Sequence, residues 1–153
     1  MKFEKFIKKL GGHGVIYTHN DVNWLASPSA MMRIPIGTKG VLSDSILEMP
    51  DGLKRFIDLS WKEEPCELTR AELPAGNSGI KDAIRFFETE QQHLSIGINN
   101  DSYTLLENGD VLSLFPEYSS DESKDIAKAL IVKRVIDAQP EAEIVGFIFP
   151  ATV

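Results

Sequence analysis

The chain has 153 residues, 42% of them hydrophobic and 25% charged, with one cysteine and a net charge of −7. That balance excludes a disordered chain, a disulfide scaffold and a strongly basic nucleic-acid binder. Residues 1–76 carry ten Lys/Arg and ten Asp/Glu, while residues 77–153 carry six and thirteen, so the second half holds the whole negative charge.

A chain of this length predicts one domain, 1–153, able to bury a core without disulfides or a metal. The lone Cys66, a charged first ten residues without a leader-type apolar run, and the shortness of every apolar stretch point to a cytoplasmic protein with no membrane partner.

Phe3, Phe6, Ile7 and Leu10 fall on one helical stripe, and Gly11-Gly12 ends the helix with Lys8 and Lys9 in its last turn. Val15-Ile16-Tyr17 and Val22 to Ala26 then read as strands around a His19-Asn20-Asp21 turn. Ser27-Pro28-Ser29 breaks the chain, and Met31 to Pro35 resumes it.

Ser45-Ile46-Leu47-Glu48 fits a capping box with a helical turn behind it. Pro50 opens a second helix, whose apolar face is Leu53, Phe56, Ile57 and Trp61 and whose end is Lys62-Glu63-Glu64-Pro65. Cys66 to Leu73 reads as a strand, and Pro74 to Gly79 as a loop.

Ile80 to Thr89 fits a helix and a two-sided strand equally. Leu94, Ile96 and Ile98 alternate as a strand should. Asn99-Asn100-Asp101 and Asn108-Gly109 read as turns, and Val111 to Phe115 as a strand between the second turn and Pro116. Glu117 to Asp125 forms an acidic loop, Ala129 to Val135 a strand, and Ile144 to Phe149 a last strand. The short connections predict an α+β fold: a mostly antiparallel sheet with two amphipathic helices packed on it. Two helices, each followed by short strands, leave a degenerate duplication open.

No catalytic, cofactor or metal motif emerges. His13, His19 and Asp21 cluster around one hairpin and could serve a small hydrolase or a metal enzyme, but turn chemistry accounts for them and no third ligand of matching spacing is near. Glu64 and Glu67 beside Cys66 disfavour its thiolate. Ser78-Gly79-Ile80-Lys81 has a Ser-x-x-Lys spacing without its partner motifs. Gly11-Gly12-His13-Gly14 follows a helix, whereas phosphate-binding loops precede one.

Lys2, Lys5 and Lys9 form the candidate phosphate contact, on what is otherwise an ordinary solvated helix face. Ile144, Phe147 and Phe149 form the candidate interface. Their strand is apolar nearly throughout, so either both its faces are covered within the monomer, or a partner or second copy docks at a C-terminal sheet edge.

At Ile80-Lys81-Asp82-Ala83-Ile84-Arg85 and Ile96-Gly97-Ile98-Asn99-Asn100-Asp101 the chain resembles small uncharacterised proteins encoded by phages and prophages. The resemblance covers the C-terminal half and implies a setting of phage replication, packaging or host take-over, with no defined activity to carry across. The alternation of helices with short strands is also similar to one segment of a DNA sliding clamp, although no clamp motif is present. The expectation is therefore a non-catalytic protein-interaction or assembly module. A nucleic-acid-associated accessory protein (sliding-clamp-like, or serving replication or packaging) is the first alternative, and the His13/His19/Asp21 enzyme the second.

Overall fold

A computed structural model describes residues 1–35, 46–60, 69–70, 84–88, 95–115, 128–134 and 143–151. Trp61, Cys66, the Pro74 to Gly79 loop, Lys81 and the acidic loop after Glu117 lie outside the described residues.

Helix α1 spans Phe3–Leu10, as the apolar stripe predicts. Gly11 ends it in the left-handed region at φ 54°, and its N–H closes on the Ile7 carbonyl. Strands β1 (Val15–His19) and β2 (Val22–Ala26) then form a hairpin. Its two-residue turn, Asn20-Asp21, takes φ values of 52° and 62°, a conformation Asn and Asp tolerate. At the next corner the Ser27 hydroxyl oxygen accepts the backbone N–H groups of Ser29 and Ala30, turning the chain into β3 (Ala30–Arg33).

Ile46–Glu48 is not a helical turn but a short strand, β4. The open edge of β1 accounts for the difference, because Ile16, Tyr17 and Thr18 pair in parallel with Ile46, Leu47 and Glu48. Tertiary pairing overrides the local capping signal. Helix α2 runs from Asp51 to Ser60, with Pro50 before it supplying the carbonyl for the first turn.

Strands β5 (Thr69–Arg70), β6 (Ile84–Glu88) and β7 (Ser95–Asn99) form a small antiparallel sheet. The ambiguous segment is thus a strand across Ile84–Glu88, settled by pairing with β7 rather than by its own periodicity. A single helical turn, α3 (Asn100–Tyr103), stands where Asn99 to Asp101 read as a turn. Strands β8 (Val111–Phe115), β9 (Ala129–Arg134) and β10 (Glu143–Ile148) complete the described elements.

The larger sheet has seven strands in the order β4-β1-β2-β3-β10-β9-β8, and all its pairs but β1–β4 are antiparallel. It is apolar on both sides. One face, carrying Ile16, Leu25, Met32, Leu130 and Ile148, shares a core with Phe3 and Phe6 of α1 and with Phe87, Ile96 and Ile98 of the small sheet. The other, carrying Trp24, Met31, Phe115, Ile131 and Phe147, shares a core with Leu53, Phe56 and Ile57 of α2.

This layering corrects the reading of the last strand. β10 lies inside the sheet, paired with β3 on one side and β9 on the other, and offers no edge. Its unbroken apolar run is that of a strand covered on both faces within the chain. A bulge aims those residues: against β9 the register shifts between Ile144 and Gly146, with Val145 as the extra residue. Ile144 and Phe147 therefore pack toward α2, and Val145 and Ile148 toward α1. A Cβ on Gly146 would run into the Met1 sulfur and come within 2.8 Å of the Met31 carbonyl oxygen, so the close approach requires glycine.

Candidate functional site

His19 closes β1 and His13 lies two residues before the strand opens, so the length of β1, about 13 Å, stands between them. His13 is exposed beside the Gly11-Gly12 corner, and Asp21 is exposed at the hairpin tip. The His13/His19/Asp21 constellation is therefore not assembled.

The fold gives His19 a different partner. Its Nε2–H donates to Asp58 Oδ1 of α2 at 2.8 Å, with the imidazole 12% exposed and the carboxylate 51%. An ionised carboxylate only accepts, so this bond places a proton on Nε2. The Asn20 amide nitrogen, 3.3 Å from the same Nε2, is then a neighbour rather than a donor to it. Among the described residues, no hydroxyl or thiol hydrogen-bonds His19, and no group of three or more His, Cys, Asp or Glu side chains is placed to hold a metal ion.

Next to this pair, Lys54 of α2 donates to Glu48 of β4 at 3.0 Å and lies 3.8 Å from Asp51. The Lys54 hydrogen bond, and then its charge, hold the Glu48 carboxyl below its ordinary range. The reciprocal bond to Glu48 raises the Lys54 ammonium. Both groups face solvent, so the pair orients β4 against α2 more than it stabilises the fold.

Beside these charges is the most exposed apolar surface among the described residues. Ile46 and Leu47 of β4 are 53% and 50% exposed, on the outermost described strand at that end of the sheet. Reading Ile46-Leu47 as a helical turn hid this edge. An open edge offers unpaired backbone groups and flanking side chains for one more strand.

The candidate interface residues lie elsewhere. Phe147 is completely buried, while Ile144 and Phe149 are half-buried, with Phe149 edge-on to Phe56 at 5.5 Å. Of the candidate phosphate contacts, Lys9 is engaged: its ammonium donates to the Asp101 carbonyl at 2.7 Å and to Thr104 Oγ1 at 3.3 Å, and so ties α1 to α3. Lys2 and Lys5 are exposed and have no ion-pair partner among the described residues. No helix among the described residues is long and apolar enough to cross a membrane.

Comparison with protein families, with curated proteins and with solved structures finds no match to this chain.

Proposed function

We propose that the protein is a non-catalytic interaction module that takes up an extended segment of a partner along β4. One observation carries this reading: the outermost described strand at that end of the sheet presents a pair of half-exposed apolar side chains, Ile46 and Leu47. Strand addition would draw affinity from backbone hydrogen bonds and selectivity from alternate side chains. Glu48, Asp51 and Asp58 surround the edge and the whole chain is acidic, so the matching segment alternates apolar with basic residues. The reading treats the chain as one domain in which α1 and α2 are amphipathic covers, and its setting as the phage or prophage context of the resemblance.

An alternating valine–lysine hexapeptide titrated into labelled protein tests it. Amide shifts confined to β1, β4 and the start of α2, abolished in an Ile46→Lys, Leu47→Lys double variant, are the expected result. Shifts elsewhere, or none, count against it. Association of the wild type alone, lost in the same variant, would identify a second copy as the occupant.

The nucleic-acid alternative draws on Lys2 and Lys5. It has less support, because Lys9 is occupied by α3 and Lys9's nearest charge is the Asp101 carboxylate.

A further inference from the structure

Three features set α2 apart from the rest of the core. First, its apolar side chains Leu53, Phe56, Ile57 and Leu59 are all only half-buried, whereas in α1 Phe3 and Phe6 are buried and Ile7 and Leu10 half-buried. Second, the buried polar atoms without a hydrogen-bond partner among the described residues are Trp24 Nε1, Ser60 Oγ and Ser113 Oγ, and each belongs to the α2 side. Trp24 is a member of that core, Ser60 is the last residue of α2, and Ser113 pairs with Ile131 and so shares its face. Third, two ion pairs between α2 and the sheet among the described residues, His19–Asp58 and Glu48–Lys54, each use a carboxylate more than half exposed.

A buried donor or hydroxyl without a partner penalises the closed state and recovers its hydration when water enters. Half-buried apolar side chains lose correspondingly less on exposure. Both effects lower the free energy of lifting α2 from the sheet, while the opposite face loses nothing. We infer that α2 is a releasable cover, latched by His19 to Asp58, which opens as a unit while α1 and the β3-β10-β9 strands stay folded.

Native-state hydrogen exchange on the whole chain tests this. The α2 amides are expected to exchange at uniform rates, at least about tenfold faster than those of β9 and β10 and with a weaker urea dependence. His19→Ala leaves the helix sequence intact and should speed α2 exchange about threefold to fivefold, with β9 and β10 unchanged. Ser60→Ala removes one orphaned hydroxyl and should slow it. Exchange of α2 in step with β9 and β10 overturns the inference. So do rates graded inward from Ser60, which mark fraying, and a His19→Ala variant that changes nothing or speeds every element alike.

Discussion

The two faces of the seven-stranded sheet are closed by different means. On the α1 side a short helix, a three-stranded sheet and the α3 turn share the covering, and bonds such as Lys2 N–H to the Leu105 carbonyl and Lys9 to Asp101 knit these pieces together. On the α2 side, among the described residues, one ten-residue helix contributes half-buried side chains, over a face that also holds unpartnered polar atoms. Much the same apolar chemistry is thus covered by several interlinked elements on one face and, among the described residues, by one helix on the other, with Met31, Ile131 and Phe147 as fully buried as Met32, Leu130 and Ile148.

The strongest test of that contrast is Phe6→Ala. Phe6 is 2% exposed in the α1-side core, and its truncation should cost about 3–5 kcal/mol, read as a fall in the urea midpoint at unchanged slope. Gly146→Ala adds one carbon on the same side, against Met1 and the Met31 carbonyl, and should cost about 1–3 kcal/mol in the same measurement. Phe56→Ala probes the other side. Its ring touches those of Phe115, Phe147 and Phe149 yet stays half wet, so a loss of about 1–3 kcal/mol is expected. A loss equal to that of Phe6→Ala would erase the distinction between the faces.

Two smaller effects sharpen it. Ser113→Ala removes a buried hydroxyl that has no partner, so stability should stay level or rise by up to about 1 kcal/mol; a clear loss would mean that the hydroxyl is bonded. The smallest effect belongs to the outer tie of α2. Glu48 is held below its ordinary value of 4.5 by Lys54, so its contribution is present above 4.5 and fades as pH falls through the lowered value. In a Lys54→Met variant, an NMR titration should find the Glu48 carboxyl back in the ordinary range; an unchanged titration would show that Lys54 is not the cause.

Features with a local physical cause were legible beforehand. The spacing of Phe3, Phe6, Ile7 and Leu10 with Gly11 behind them, the Asn20-Asp21 turn, and the alternation of Ile96 with Ile98 each carry their conformation within a few residues. β4 was not legible, because Ser45 and Glu48 spell a capping box while the deciding partner is the edge of β1, some 30 residues earlier. The strand at Ile84–Glu88 likewise depended on β7.

The site followed the same rule. His19 stood out beside His13 and Asp21, but its partner Asp58 lies 39 positions away on an element whose docking no short window encodes. The β10 run was read correctly as needing cover on both faces, yet the order of strands decides whether that cover comes from the chain itself, and strand order is non-local.

The bulge at Val145 gives the C-terminal strand one residue of slack in its length. Because one extra residue opposes β9 between Ile144 and Gly146, the residues on either side of it keep opposite bookings on the two cores. Exchanging one aliphatic side chain for another here alters volume alone. Removing Val145 would restore an unbroken pleat, with Ile144 opposite Lys133 and Gly146 opposite Val132, and would leave Phe147 on the α2 side and Ile148 on the α1 side. A second deletion, with no surplus residue left to absorb it, would slip the register and turn every later side chain to the other face. One residue of slack is therefore all that the length of this strand allows.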